Sequence, residues 1–412
     1  MTEHKSSEHR ILPLEEVTIG DVTMKTATPC AGLKLSPELG IVVAEPIAAE
    51  RMHIDDFICH PRSIEAPNGD FLLFFAAGPM HYGWAKKERK GNTMMLRRSV
   101  DRGRTWTPAK PAWEIPYSQH AVIPFIPHGS SIIYAFGTEP RRDVYDGEEN
   151  AAIGFRTSED NGHTWSEVNL IRPTNAPEFQ GMSAMRMCET ESGAWIVGTH
   201  VGHWDNGHVE TRSYVLRSED KGQSWTVVPG VKWEEGWKVG KAQRMDEVRP
   251  LSLGGEKVLL MARTCEGQLW ELRSEDAGKT WTEPRPTVLA HPDAPPMLFH
   301  LADGKTLAAF HHNRFAPGHF SHAQRTELWV SLSKNDGIDW SEPRFVLANA
   351  AEAAILNGWK HGTPMVSYAD LLADGDDLHL FVDHQMRQVL HLSFRAEDLE
   401  KLPTRTQLKN EP

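Results

Sequence analysis

An eight-residue motif repeats along the chain and constrains its fold more than any other feature. The pattern Ser-x-Asp-x-Gly-x-Thr-Trp occurs in four copies, one with Ser for Thr, and a fifth copy is degraded. The copies are Ser99–Trp106, Ser158–Trp165, Ser218–Trp225, Ser274–Trp281 and Ser333–Trp340, the last with Asn335 in place of the Asp. Their spacings are 59, 60, 56 and 59 residues. A steady period of this length is typical of an array of similar supersecondary units.

The residue types of the motif are those of a hairpin turn. An Asp side chain accepts hydrogen bonds from nearby backbone N–H groups, and Gly adopts positive φ without steric cost. The closing position holds five of the 14 tryptophans of the chain, where we expect each ring to pack the turn against its sheet. We therefore interpret the motif as structural and assign no chemistry to it.

Three β-rich runs precede the motif and predict units of four antiparallel strands. In the first unit the runs are Arg62–Ala66, Phe71–Ala76 and Thr93–Arg98. In the fourth they are Val248–Leu253, Lys257–Arg263 and Gln268–Arg273. A last unit, with runs Met365–Leu372, Asp377–Asp383 and Val389–Phe394, lacks the motif. The predicted fold class is all-β: a six-bladed β-propeller of four-stranded antiparallel blades.

The period also predicts the domain boundaries. A single propeller would span residues 40–400, with an N-terminal extension over 1–39 and a C-terminal tail over 401–412. The run Gly40–Pro46 is available to add a closing strand to the last blade. Such a strand removes the open edge of a propeller, which would otherwise expose unpaired backbone groups.

Composition excludes several classes of protein. The net charge of −12 argues against a nucleic-acid partner, which selects a basic surface. No run approaches the ~18 apolar residues of a membrane helix, so no membrane association is expected. Residues Met1–Arg10 are polar and lack the apolar core of a signal peptide, so we expect a cytoplasmic protein. The four cysteines are widely scattered and are expected to be reduced thiols.

Strand topology predicts where functional side chains gather. In a four-stranded meander, the start of strand 1 and the loop between strands 2 and 3 lie at the end opposite the motif. Arg and His recur at these positions, as fork-shaped or titratable donors suited to a carboxylate or similar anion. At strand 1 starts the candidates are His60, Arg62, His120, Arg186, Glu247, Arg249 and His361. At the loops they are His81, Arg141, Arg142, His200, His203, Arg263, His311, His312, Arg314, Asp383, His384 and Arg387.

These motifs and their period resemble the BNR/Asp-box branch of the sialidase (neuraminidase) superfamily. The resemblance is strongest in the segments DEVRPLSLGGEKVLLMAR, from Asp246, and VSYADLLADGDDLHLFVD, from Val366. It implies that Tyr368 is the nucleophile, that Glu247 activates it and that Arg263 binds the substrate carboxylate. It places Asp383 where the family has an acid that orients the first Arg. A tyrosine nucleophile needs a carboxylate to take its proton, which is the role implied for Glu247.

The chain departs from the family pattern in the first and fifth blades. The family motif Arg-Ile-Pro is replaced by Cys59-His60-Pro61, although Arg62 is close. His81 stands near the position of the acid/base Asp, and Arg314 is the nearest candidate for a third Arg.

Three classes of function therefore stay open. The first is an exo-acting, sialidase-like glycoside hydrolase that cleaves a terminal bond at or next to a carboxylate-bearing sugar. The second is a rhamnosyl-glucuronate lyase or hydrolase that uses His60 or His81 for proton transfer. The third is a propeller that binds glycans without catalysis. No cofactor is expected. The clustered histidines leave a divalent metal open, although no tight ligand spacing such as HExxH occurs. The expected partner is an acidic oligosaccharide or glycoside, and the oligomeric state stays undetermined.

Overall fold

The computed structural model of the chain describes residues 14–19, 22–27, 33–36, 43–48, 57–78, 92–115, 122–139, 150–205, 208–229, 238–239, 242–318, 324–349 and 365–410. Nearly all regular structure in these residues is β-strand, and the two described helices, Asp398–Lys401 and Arg405–Asn410, are short. Among the described residues, no helix has the length and apolarity needed to cross a bilayer. The predicted all-β class is confirmed.

The strands have the following bounds in chain order. The first eight are β1 (Leu14–Ile19), β2 (Val22–Ala27), β3 (Leu33–Leu35), β4 (Val43–Ala48), β5 (Phe57–Glu65), β6 (Phe71–Gly78), β7 (Asn92–Ser99) and β8 (Lys110–Ile115). The next nine are β9 (Ile123–Phe125), β10 (Ile133–Glu139), β11 (Ala152–Ser158), β12 (Asn169–Leu170), β13 (Ala184–Glu189), β14 (Trp195–Asp205), β15 (His208–Ser218), β16 (Thr226–Pro229) and β17 (Lys238–Val239). The remaining strands are β18 (Ala242–Ser252), β19 (Val258–Thr264), β20 (Gln268–Ser274), β21 (Arg285–Ala290), β22 (Met297–His300), β23 (Leu307–His311), β24 (Glu327–Ser333), β25 (Arg344–Asn349), β26 (Val366–Asp374), β27 (Asp377–His384) and β28 (Gln388–Arg395).

Successive strands pair as four-stranded antiparallel units, which follow one another along the chain. The units are β5–β8, β9–β12, β13–β16, β18–β21 and β22–β25, and a last one in which β4 joins β26–β28. A short parallel pairing of β15 with β18 also joins two neighbouring units. The antiparallel pairing of β4 with β28 is the one predicted for the run that begins at Gly40.

Strands from the predicted N-terminal extension take part in the sheets. β1, β2 and β3 pair in order, and β3 pairs with β25, so this segment widens the unit β22–β25. The helix near the C-terminus covers the same region, because Leu408 packs in one cluster with Trp329, Phe345 and Ala348. Both termini therefore contribute to the sheet that carries β25.

The apolar core lies between neighbouring units. Leu73 and Phe75 of the first unit pack with Phe381 and Val389 of the last, and all four are completely buried. Burying a side chain of this size contributes about 1.5–3 kcal/mol. Contacts of this kind hold adjacent units together face to face.

The repeated motif forms the turn between the third and fourth strands, as predicted. In the third copy, Ser218 Oγ accepts a hydrogen bond from the Gly222 N–H at 2.8 Å. Asp220 accepts one from the N–H of Ser224 at 2.8 Å and another from its hydroxyl at 2.5 Å. Trp225 is 3% exposed and donates from Nε1 to the Gly222 carbonyl at 3.0 Å. The bond from Gly N–H to Ser Oγ recurs in the other four copies.

The degraded fifth copy keeps the turn by exchanging donor and acceptor. Asn335 Nδ2 donates to Asp339 Oδ2 at 2.8 Å, where the other copies have a Thr or Ser hydroxyl donating to an Asp. The N–H of Asp339 still donates to Asn335 Oδ1 at 2.9 Å. Two compensating substitutions therefore preserve the local bonding.

Strand register separates the motif from the predicted site. In the first unit, Phe71 pairs with Glu65 and with Ser99, the residue at which the motif begins. At the other end of the same strands, Phe57 pairs with Gly78. The start of the first strand and the motif therefore lie at opposite ends of the unit.

Candidate active site

The first strands of three units, β5, β18 and β26, each contain a β-bulge near their start. His60, Glu247 and Tyr368 occupy these bulges with φ of 57°, 44° and 52°. Left-handed backbone costs a non-glycine residue about 1–3 kcal/mol and persists only where surrounding contacts hold it. A bulge also changes the direction of a side chain, and the three side chains are buried. The same kind of β-bulge thus presents a His, a Glu and a Tyr at equivalent positions of three units.

The Tyr368 side chain lies between an imidazole and a guanidinium. Its ring meets the His60 ring edge to face, with centroids 4.0 Å apart. Arg325 Nη1 donates to the Tyr368 hydroxyl at 3.3 Å. Burial raises the pKa of Tyr368, Arg325 and Arg263 lower it, and the negative charge of Glu247 raises it. The phenol is therefore protonated at neutral pH and lies within the electrostatic reach of a carboxylate and two arginines.

Glu247 is held by Arg263, and Asp293 holds Arg263 and Arg325, the two arginines that act on Tyr368. Arg263 donates from Nη1 to Glu247 Oε2 at 2.8 Å and from Nε to Asp293 Oδ1 at 2.6 Å. Arg325 Nη2 donates to the backbone carbonyl of Asp293 at 2.5 Å. Because Asp293 binds both guanidinium groups, it sets their orientation around Tyr368.

A further ion pair completes this group. Arg244 donates from Nε to Asp246 at 2.7 Å and from Nη1 to Asp293 at 3.3 Å. Burial raises the pKa of Asp246 to about 6, against the opposing effect of Arg244 and Arg263. We name the set Arg244, Asp246, Glu247, Arg263, Asp293 and Arg325 the paired cluster, because its three arginines face three carboxylates.

Asp383 and Gly198 lie behind the bulges and shape them. Asp383 is fully buried, and its Oδ1 accepts a hydrogen bond from the Met386 N–H at 2.8 Å. Burial raises the pKa of Asp383, and a hydrogen bond from the backbone of His60 acts in the opposite direction, so Asp383 also supports the bulge at His60. On β14, a Cβ at Gly198 would collide with the backbone carbonyl of Val248, the residue after Glu247. Only glycine allows this approach.

Buried histidines support the strand that carries Tyr368. His312 Nε2 lies 3.3 Å from the hydroxyl of Ser367, and its Nδ1 lies 2.7 Å from the Glu327 carbonyl. The His291 ring stacks on it with centroids 4.9 Å apart. Burial lowers the pKa of His312 to about 3, so the imidazole is neutral. Its contacts indicate a positioning role rather than charge transfer.

Arg62, Arg186 and Asp370 form a second group of charges. Arg186 makes an ion pair with Asp370, and Ser63 donates to Asp370 from its N–H at 2.6 Å and its hydroxyl at 2.7 Å. Arg62 donates to the Pro61 carbonyl at 2.7 Å. Burial lowers the pKa of Arg62 to about 10, and the charges of Asp370, Arg186 and Glu247 also act on it. This group therefore borders the paired cluster.

The structure brings many of the predicted site residues together and places others elsewhere. Those that meet are Tyr368, Glu247, His60, Arg263, Arg62 and, behind the bulge, Asp383. His200 is buried on β14 with Nε2 3.1 Å from the sulfur of Met182. Arg387 lies in the turn between β27 and β28, where its N–H donates to the His384 carbonyl at 3.2 Å. The predicted residues His81 and Arg142, with His120, Arg141 and His361, lie outside the described residues.

Arg325, rather than Arg314, is the arginine that the structure places at Tyr368. Arg314 has a side chain 35% exposed and pairs with Glu327 at 3.0 Å. Both arginines belong to the segment between β23 and β24, and Arg314 was the nearer to the end of β23. Closeness to the end of β23 does not identify the arginine at Tyr368, because it is Arg325, two residues before β24 begins, that reaches the site.

Asp293 and Gly198 had no sequence signal. Asp293 follows β21 and lies outside the repeated motif, so no pattern marks it. Gly198 is one of 32 glycines, and the sequence does not distinguish it from the others. Among the described residues, no group of three or more His, Cys, Asp and Glu side chains is arranged to hold a metal ion.

Comparison with known proteins places this arrangement among related folds. Residues 134–380 match the family described as BNR repeat-like domain. No curated protein sequence matches the chain significantly.

Several solved structures are similar over most of the chain. The NanB sialidase of Streptococcus pneumoniae is 12% identical over 86% of this chain and 70% of its own, with a TM-score of 0.59. An α-L-arabinofuranosidase of Fusarium graminearum is 14% identical over 87% of this chain and 99% of its own, with a TM-score of 0.58. A protein of unknown function from Dyadobacter fermentans is 15% identical over 85% and 99%, with a TM-score of 0.61. At such identities the similarity shows a shared, propeller-like fold.

Proposed function

The chain belongs to the family of BNR repeat-like domains, within the sialidase-like superfamily, and from that premise we propose that it is a glycoside hydrolase. It cleaves a terminal glycosidic bond at or next to a carboxylate-bearing sugar. Tyr368 is the nucleophile, Glu247 is the base that activates it, and the arginines around them bind the carboxylate.

The proposed scaffold is a closed six-bladed propeller. The four-stranded units and the pairing of β4 with β28 support this, because β4 precedes the first unit and completes the last. Closure would bring the starts of all first strands to one central opening. The site residues come from β5, β18 and β26, which agrees with an opening shared by several blades.

The observation that carries the proposal is the environment of the Tyr368 hydroxyl. It accepts a hydrogen bond from Arg325 at 3.3 Å, and the charges of both Glu247 and Arg263 act on its pKa. A buried phenol with a raised pKa is a poor nucleophile until a carboxylate takes its proton. Two guanidinium groups nearby stabilise the phenolate as it forms. A tyrosine with only a structural role needs neither a carboxylate to take its proton nor guanidinium groups to stabilise its anion.

The reaction follows from these positions. The Tyr368 oxygen attacks the anomeric carbon, its proton passes to Glu247, and the bond to the leaving oxygen breaks. The leaving oxygen takes a proton from a general acid, the role that the sequence predicts for His81. Water then releases the sugar from the tyrosine. A neutral nucleophile suits an anomeric carbon beside a carboxylate, where an anionic one would be repelled.

A second candidate is a lyase that acts on a uronate. The contact of His60 with Tyr368 favours it, because the two rings lie 4.0 Å apart and both groups can transfer protons. One of them would remove the proton at C5 while the arginines neutralise the adjacent carboxylate. The bond from C4 to the leaving oxygen would break as the C4–C5 double bond forms, and the other group would give its proton to that oxygen. The product would be an unsaturated sugar that absorbs ultraviolet light.

The test is turnover of sialosides and glucuronate-terminated oligosaccharides by the full chain, with product mass and absorbance recorded. Hydrolysis adds one water to the products and supports the glycosidase, whereas elimination produces an ultraviolet-absorbing fragment and supports the lyase. For the hydrolase, Tyr368→Phe should lower kcat at least ~10³-fold. The matched control is Tyr134→Phe, on β10, which should keep full activity. Equal activity of both variants would overturn the assignment of the nucleophile.

A further inference from the structure

The guanidinium group of Arg249 is buried and makes no hydrogen bond within the described part of the chain. Its side chain is 1% exposed, and Nε, Nη1 and Nη2 have no hydrogen-bond partner among the described residues. A buried guanidinium normally has its donors paired, because an unpaired buried charge is strongly destabilising. The five N–H groups of Arg249 therefore point to a ligand that the described residues do not supply.

Arg249 shares its surroundings with other arginines. It lies two residues after Glu247 on β18, as Arg62 lies two residues after His60 on β5. Burial lowers the pKa of Arg249, the positive charges of Arg62 and Arg186 lower it further, and the carboxylates of Asp370 and Glu247 act in the opposite direction. Arg62 and Arg249 thus occupy equivalent positions on β5 and β18, each two residues closer than the bulge residue to the motif end of its sheet.

The charges in this second group do not balance. Asp370 is the one carboxylate of this group, and it is already bound by Arg186 and twice by Ser63. Glu247, which Arg263 holds, also attracts Arg62 and Arg249. Together with the paired cluster, the described site therefore holds six arginines and four carboxylates. The excess positive charge lies with Arg62 and Arg249, which make no hydrogen bond to a carboxylate among the described residues.

We propose that Arg62, Arg186 and Arg249 form a binding site for an oxyanion, separate from the arginines that hold the substrate carboxylate in the proposed reaction. Guanidinium groups bind carboxylate, sulfate and phosphate oxygens in pairs, with charge-assisted hydrogen bonds. An oxyanion here would satisfy Arg249 and offset the mutual repulsion of the three arginines. The site exists whether or not the chain is a hydrolase, because it depends only on this charge imbalance.

The direct test is thermal unfolding of the full chain in sulfate and in chloride at equal ionic strength. Binding to the folded state alone should raise Tm by roughly 1.5 °C for each tenfold increase of sulfate above its dissociation constant. Chloride should produce a smaller rise, because it cannot bridge two guanidinium groups. Equal effects of sulfate and chloride would overturn the proposal without the use of any variant.

Variants locate the site. Arg249→Met keeps the length of the side chain and removes its charge, so the sulfate-dependent rise should disappear. Its Tm without sulfate should equal or exceed that of the wild type, because a buried uncompensated charge is gone. Arg62→Met should reduce the rise, and provides a second measurement if Arg249→Met does not fold. The control is Arg285→Met, whose side chain is 60% exposed and paired with Glu271. A full sulfate response in both site variants would contradict the proposal.

Competition distinguishes the two sources of an oxyanion. Glucuronate and sulfate can be titrated together by calorimetry. If both bind at once, the site takes a free inorganic anion, which supports the proposal provided that Arg249→Met abolishes sulfate binding. If glucuronate displaces sulfate in the wild type, Arg249 belongs to the site of the substrate carboxylate, and the proposal of a separate site is overturned. Failure of the hydrolase assay alone would leave this measurement unaffected.

Discussion

The two ends of each unit use the same rare backbone conformation for different purposes. In the motif turns, the residue before the glycine has φ between 55° and 61°. In the bulges, His60, Glu247 and Tyr368 have φ between 44° and 57°. The motif turn is stabilised by hydrogen bonds within its own eight residues. The bulges are stabilised by residues distant in sequence, such as Asp383, which supports His60.

This difference explains why one end repeats and the other varies. A turn that is stabilised locally can be copied unchanged in every unit, because its partners are copied with it. A bulge that depends on neighbouring units has different partners in each, so a His, a Glu and a Tyr occupy equivalent places. We expect changes in the motif to alter stability alone, and changes around the bulges to alter activity.

The largest expected effect separates the two candidate arginines at the bulge end. Arg325→Met removes the donor to Tyr368, so kcat/KM should fall about 10²-fold or more. Arg314→Met breaks a partly exposed ion pair with Glu327 and should change kcat/KM only a few-fold. Steady-state kinetics on a hydrolysed substrate measures both. A larger loss in Arg314→Met would reverse the assignment.

Two glycine substitutions compare the ends directly. Gly198→Ala collides with the Val248 carbonyl beside Glu247, whereas Gly222→Ala, in the third motif, brings a methyl group 2.8 Å from the Trp195 ring. Each should lower the free energy of unfolding by about 1–3 kcal/mol, measured by denaturant titration. Only Gly198→Ala should also lower kcat, because it displaces the bulge.

Gly129→Ala is the control for backbone strain in this comparison. Its φ is 72°, and no atom lies within 4 Å of the added Cβ. The substitution therefore costs only the free energy of holding an alanine in left-handed backbone conformation. It should destabilise less than Gly222→Ala and leave kcat unchanged. If Gly198→Ala and Gly222→Ala had equal effects on kcat, the two ends would not be functionally distinct.

His312 at the bulge end and Asp220 in the third motif should contribute to stability over different ranges of pH. Burial lowers the pKa of His312 from 6.5 to about 3, so its unfolded form takes up a proton first and stability falls as pH drops below 6.5. Hydrogen bonds from Ser224 lower the pKa of Asp220 from 3.8 to about 2, so its contribution is lost only below pH 3.8. Urea titrations across this range should show both phases.

Substitution assigns each phase to its region. His312→Gln should reduce the phase that begins near pH 6.5, to which the buried histidines His291, His311, His384 and His391 also contribute. Asp220→Asn should reduce the phase below pH 3.8, to which Asp160 and Asp276 of other motifs also contribute. A wild-type protein whose stability is constant between pH 7 and 5 would contradict the buried, neutral state of the histidines.

The smallest expected effect tests the exchanged pair in the fifth motif. Asn335→Asp places a carboxylate against Asp339, and both side chains are exposed, so the free energy of unfolding should fall by only about 1 kcal/mol. The double variant Asn335→Asp, Asp339→Thr restores the arrangement of the other motifs and should recover this loss. Additive effects in the double-mutant cycle would show that the two residues do not interact.

The sequence alone determined the repeat, the antiparallel units and the end of each unit at which functional groups gather. These depend on residues close together in the chain, whose turn and strand preferences can be read directly. The superfamily resemblance is confirmed for the same reason, because its motifs are local. The roles proposed for Tyr368, Glu247 and Arg263 remain predictions for the kinetic experiments.

Only the tertiary structure decided which arginine meets Tyr368, that Asp293 binds three guanidinium groups, and that Arg249 has no hydrogen-bond partner among the described residues. Each of these depends on segments from different units that approach one another across the molecule. Electrostatic balance is a property of the assembled cluster, and no single strand carries it. For this reason the sequence predicted a basic opening, and the structure separated it into one neutralised cluster and one with excess positive charge.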